Sequence, residues 1–252
     1  MWVSGFAAGA VNAVAGGGTL ITFPTLIAMG VPPLIANVSN TVALCPGFLG
    51  ATYVQRRDLR PQRRRILVLV PLAAAGGIVG AYVLRHTSAG AFDQLAPFLV
   101  LAAVALLALG PYVKGRAVRR AQLQNVAAEH VDRLGIAAVT TLAVAVYGGY
   151  FGAGMSVMII AVLSVVLTDQ LVRITALKQL LALVINGAAA SYLLITNGHS
   201  GLIAWPVVAT IGSAAVIGGV VGGRLSQRVN EVTLRWLVIG IGVVFAAVYW
   251  LG

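Results

Sequence analysis

Ala15-Gly16-Gly17-Gly18-Thr19 and Phe151-Gly152-Ala153-Gly154-Met155 interrupt two apolar stretches, 2–30 and 135–167, and their pairing decides how this chain is read. Glycine costs a helix interior about 1 kcal/mol relative to alanine, so a cluster of glycines predicts a break in a helix. The residues flanking each cluster stay apolar. The chain thus holds two broken segments at matching places, one in each half.

Composition sets the solvent around those breaks. Of 252 residues, 60% are hydrophobic and 9% charged, against about 25% charged in a soluble domain. A bilayer accepts such a surface, and it forces helices or a closed barrel because lipid cannot satisfy a bare peptide group. Unbroken apolar runs at 34–54, 66–84, 94–113, 174–196, 201–223 and 234–251 have the roughly 20 residues a crossing helix needs and choose helices over a barrel. Residues 1–15 lack a basic start, so no cleavable leader is expected.

The match between halves continues beyond the breaks. Gly76-Gly77-Ile78-Val79-Gly80-Ala81 recurs as Gly218-Gly219-Val220-Val221-Gly222-Gly223, and Tyr53 has Tyr192 as its counterpart. The chain reads as one membrane domain, 1–252, duplicated internally: repeat 1 covers about 1–112, repeat 2 about 134–252, and a basic linker, 113–133, joins them. The glycine faces suit packing within the chain or in a homodimer.

Charge distribution says how the halves relate. A net charge of +11 would suit nucleic acid, but the basic residues fall in breaks between apolar runs, where cytoplasmic loops hold Lys and Arg. Six arginines lie within 55–65, while the corresponding loop 196–201 has no Lys or Arg. Conversely Arg224, Arg228 and Arg235 crowd 224–235, while 85–93 has one arginine offset by Asp93. Corresponding loops therefore belong on opposite sides of the membrane, which requires an odd number of crossings per half. The expected fold is an all-α polytopic membrane protein of two inverted repeats. Each repeat is a glycine-broken re-entrant helical hairpin plus three transmembrane helices. Loops 55–65, 113–133 and 224–235 face the cytoplasm, and both termini face the periplasm.

Broken helices in inverted repeats place a transport site near the midplane. Half-helix N-termini carry N–H groups and partial positive charge, which suit an anion. The candidate substrate-binding residues are Gly16, Gly17, Gly18 and Thr19 at the first break and Gly152, Gly154, Met155 and Ser156 at the second. Asn37, Asn40 and Thr41 have the i, i+3, i+4 spacing of one helix face, and Lys178 with Gln179 follows the second break. Lys178 stands about one turn inside its span, where a lysine serves a cavity or snorkels to the headgroups. Asp169 is placed to pair with Arg173. Six acids and three histidines all fall in loops or at span ends. No catalytic, metal or cofactor group is therefore expected, and Cys45 reads as a small buried hydrophobe.

These residues resemble the sulfite exporter TauE/SafE family of bacterial membrane proteins. The resemblance runs through Gly9, Asn12 and Gly16-Gly17-Gly18, then Pro24, Leu26, Gly30 and the polar stretch 36–41. In the second half it runs through Gly148-Gly149-Tyr150-Phe151-Gly152-Ala153-Gly154, Ala176-Leu177-Lys178 and Gly198-His199. It covers nearly the whole chain. The chain departs from the pattern at Met155-Ser156, where a further glycine is common, and at Ser39-Asn40-Thr41-Val42, which lacks a first-half lysine.

What the resemblance implies is a secondary carrier exporting sulfite, sulfoacetate or a related organosulfonate across the bacterial inner membrane by alternating access. Its partners would be a small anion and the lipid bilayer, not nucleic acid. Another small anion, such as a carboxylate, would suit the same fold. Two other classes compete. Ser156 in its glycine-rich setting faintly suggests an intramembrane nucleophile, but no histidine lies in a span to serve as its base. A membrane assembly factor would want a docking element outside the membrane, and the short linker 113–133 is the one candidate.

Overall fold

The computed structural model describes residues 1–14, 16–124, 133–197, 201–225 and 231–251. Expectations placed on Ala15, on linker residues 125–132, on Gly198-His199-Ser200 and on 226–230, Arg228 among them, lie outside the described residues. Every described element is helical.

In the first half the helices are α1 (Trp2–Val14), α2 (Thr19–Ala28), α3 (Pro33–Val54), the single turn α4 (Arg56–Leu59), α5 (Arg63–His86) and α6 (Ala89–Gln124). The second half holds α7 (Leu134–Tyr150), α8 (Met155–Val166), α9 (Leu171–Asn197), α10 (Trp205–Leu225) and α11 (Glu231–Leu251). The order short, short, long, long, long thus occurs twice. Among the described residues, α3, α5, α6, α9 and α10 are long and apolar enough to cross a membrane. They match five of the six expected runs. For α11 the described apolar stretch is the shorter Arg235–Val248. Two expected loops are largely helical: the basic stretch after α3 forms α4 and a 3-10 turn, Arg60–Gln62, and α6 runs on through half of the linker to Gln124.

Both glycine clusters break the helix by the same backbone device. Gly16 and Gly17 take φ of 79° and 94°, and Gly152 and Gly154 take 77° and 75°, values that other L-residues reach only at a cost. The 13 residues of α1 and 10 of α2 span roughly 20 and 15 Å at 1.5 Å per residue, well short of a bilayer core of about 30 Å. Each pair folds back on itself. Gly18 lies against the carbonyl of Ala8, ten residues earlier in the chain. The second reversal closes at its open end, where the Arg133 N–H donates to the Val166 carbonyl at 3.4 Å.

The halves interlock instead of sitting side by side. α10 packs on α1 and α3 of the first half, and α5 packs in the same way on α7 and α9 of the second. Likewise α8 leans on α6, and α2 on α11. The recurring glycines make these crossings possible. A Cβ added at Gly77 would lie 2.6 Å from the Ile185 carbonyl, and one at Gly222 2.5 Å from that of Ala10, so helix backbones touch directly. The glycine faces are thus used within the chain. α1 and α10 run in the same direction, with Gly5 beside Ile211 and Gly9 beside Ala215.

One end of the molecule gathers the basic segment. Asp169, just before α9, pairs with Arg65 at the start of α5 and with Arg173 at 3.3 Å, one turn along α9. Gln62 donates to the Arg173 carbonyl at 2.9 Å. Residues 62–65, 133, 166 and 169–173 therefore share one end of the helix array. Trp2, Trp205 and Trp236 are all exposed.

Candidate functional site

The two breaks meet. A Cβ built on Gly16 would lie 2.6 Å from Ser156 Cβ and 3.6 Å from the Val157 nitrogen. The tip of the first hairpin thus rests on the start of α8. Gly17 lies against Leu107 of α6 and Val238 of α11, and Gly154 against Ala103 of α6. Phe151 packs edge-on against Phe23 of α2 at 5.4 Å, holding the two turns together from the apolar side.

Lys178 reaches this junction from α9. It is 2% exposed, and its Nζ donates to the Asn12 carbonyl at 3.5 Å. Asn12 belongs to the last turn of α1, whose carbonyl end carries partial negative charge and favours a cation. The ammonium therefore points inward, and the headgroup alternative is excluded by its burial. Asn12 ties the same region together through its side chain, since its Oδ1 accepts the Gly18 N–H at 2.7 Å. Lys178, Asn12, Gly18, Gly16 and Ser156 thus form one chain of contacts drawn from α9, α1, the first break and α8.

The first-half polar face behaves in a related way. Asn37, in the second turn of α3, donates through Nδ2 to the Tyr150 carbonyl at 2.9 Å, at the end of α7. Each half's post-hairpin helix therefore gives a donor to the carbonyl end of the other half's broken helix. Thr41 turns back to the Asn37 carbonyl at 3.0 Å, inside its own helix. Asn37 Oδ1, Asn40 Oδ1 and both polar atoms of the Gln179 amide are buried with no hydrogen-bond partner among the described residues. Each such atom costs about 1–3 kcal/mol, which a core built for packing alone would avoid with an apolar residue.

Not every expected donor is open. The Gly18 N–H goes to Asn12, while the N–H groups of Leu20 and Met155 close turns onto Gly17 and Gly152. Thr19 and Met155 are buried at the first positions of α2 and α8, and the Met155 sulfur packs on Gly148. Gln179 follows Lys178 but faces elsewhere on α9, and its carbonyl accepts from Thr52 at 3.3 Å.

Two residues escaped the sequence-derived site. Asn12 entered only as part of the family pattern. Its signal was an amide in an apolar helix six residues before Gly18. Arg235 was grouped with a cytoplasmic loop, which the structure corrects. It lies in α11, 5% exposed, beside Gly110 of α6. Among the described residues, no three His, Cys, Asp or Glu side chains gather where a metal could be held.

The family model described as sulfite exporter TauE/SafE matches residues 1–249. A "Probable membrane transporter protein" of Haemophilus influenzae is 26% identical over 236 residues, covering 93% of this chain and 87% of that protein. The "Probable membrane transporter protein YfcA" of Escherichia coli K12 is 24% identical over 242 residues, 95% and 84% of the two chains. No solved structure matches the chain.

Proposed function

Because this chain belongs to the sulfite exporter TauE/SafE family and is a membrane transporter of that type, we propose that it exports a small sulfur-containing anion across the cytoplasmic membrane by alternating access. Sulfite, sulfoacetate and related organosulfonates are the cargo class. One observation carries the anion reading: the Lys178 ammonium is buried beside two glycine breaks that touch each other. A buried cation is costly in the membrane and is kept there to meet an anion or a fixed partner. Lys178 supplies the countercharge, Asn40 orients the oxygens through its buried amide, and the glycine turns bring bare backbone close.

The interlocked packing and the Arg133–Val166 closure support inverted repeats, of about 1–112 and about 134–252, with re-entrant hairpins. In that topology 55–65, the linker and the stretch between α10 and α11 face the cytoplasm, and both termini face the periplasm. The shared end of residues 62–65, 133 and 169–173 agrees with it. Alternating access then moves one set of interlocked helices against the other around the paired breaks.

Uptake into proteoliposomes of labelled sulfite, sulfoacetate, taurine and acetate, with wild type beside Lys178→Ala, tests the proposal. Saturable flux of a sulfur anion, lost in the variant, is the expected result. Flux of acetate alone would move the cargo to carboxylates. Correctly folded protein that carries none of the four would remove the sulfonate reading.

A further inference from the structure

Arg235 stands apart from the basic loop in which its spacing would place it. It opens the apolar stretch of α11 and is buried. A Cβ built on Gly110 would lie 3.8 Å from Arg235 Cζ, 3.9 Å from its Nε and 3.1 Å from Val157 Cγ1. The guanidinium and the Val157 side chain therefore flank the same spot on α6. Val157 is also the residue whose nitrogen lies beside Gly16. Val157 of α8 thus touches both the spot on α6 beside the guanidinium and Gly16 at the meeting point of the two breaks.

We propose that Arg235 is a second fixed cation of the transport path. It would grip the anion from the side of α6, α8 and α11, while Lys178 faces it from the side of α1 and α9. This rests on the anion-carrier reading above. Arginine keeps its charge at any physiological pH and offers two parallel N–H donors to an oxyanion. A path with two cations on opposite sides prefers a dianion, with charge at two places or spread over several oxygens, to a singly charged one. Sulfite in its dianionic form and sulfoacetate belong to that class, and methanesulfonate does not. The first-half lysine that this chain lacks is thereby matched in charge by a residue from the last helix.

The test compares wild type, Arg235→Lys and Arg235→Gln in proteoliposomes. KM and maximal rate are measured for sulfoacetate and methanesulfonate, and thermal melting reports the fold. Arg235→Gln should raise KM for sulfoacetate roughly tenfold or more, the scale of one lost charged hydrogen bond, with a smaller change for methanesulfonate. Arg235→Lys should fall between, since it keeps the charge and loses the fork. An unchanged ratio of the two KM values in Arg235→Gln would overturn the proposal and leave the carrier reading standing. Should that variant not fold, an unchanged ratio in Arg235→Lys does the same. Wild type that neither carries nor is stabilised by any anion would overturn the carrier reading, and this proposal with it.

Discussion

Gly16 of the first break and Ser156 of the second are in direct contact, the glycine holding a φ of 79° with no room for a Cβ on the serine side. Gly16→Ala therefore meets two obstacles, a left-handed backbone worth roughly 1–2 kcal/mol to a non-glycine residue and a clash with Ser156 Cβ. Transport should fall steeply while the protein still inserts. Adding Ser156→Gly removes only the clash, so the double variant should recover part of the flux. Full recovery would show that the backbone conformation is unimportant.

Asn12 bridges the break and the lysine, so its substitutions separate folding from charge. Asn12→Ala leaves the Gly18 N–H without its acceptor and should cost about 1–3 kcal/mol, read as a lower melting temperature in detergent. Asn12→Asp keeps an acceptor oxygen but sets a negative charge near Lys178. It should insert normally and bind anions more weakly. An Asp variant with wild-type KM would remove Lys178 from the site.

The Arg133–Val166 hydrogen bond predicts topology. In a Cys45→Ala background, cysteines placed at positions 64, 133 and 168 should label from one side of the membrane. Cysteines at 30, 88 and 202 should label from the other. Accessibility of 133 and 168 from opposite sides would mean that the second broken segment crosses fully.

Asp169 fastens the basic segment after α3 to the start of α9. Both Asp169 and Arg65 are largely shielded, with side-chain exposures of 12% and 11%, so their pair lies between the weak surface case and the costly buried one. Asp169→Asn should lower stability by about 1–2 kcal/mol, measured by thermal unfolding. The swap Arg65→Asp with Asp169→Arg should restore part of it. A swap no better than either single change would show that the carboxylate acts through Arg173 instead.

Helices, breaks and their pairing were open to reading along the chain, because each depends on neighbours in sequence. Apolar runs of membrane length, glycine clusters and arginine-rich loops are local facts, and lipid tolerates few other structures. Lys178 was visible for the same reason, as a charge inside a span. Its direction was not, because snorkelling and inward burial begin from the same residue and differ only in which helix lies opposite. Arg235 was misplaced because it follows a basic loop in sequence, while it is buried beside Gly110 of α6, far away along the chain.

Class and helical runs follow from the chain's local pattern, since hydrophobicity and glycine placement act between near neighbours. Packing in three dimensions set the contact of Gly16 with Ser156, the turn of Lys178 to the carbonyl end of α1, and the tie that Asn12 makes between the two. The first two of these contacts join residues more than 100 positions apart. They follow from how glycine faces let helix backbones of opposite halves approach, which no local pattern encodes.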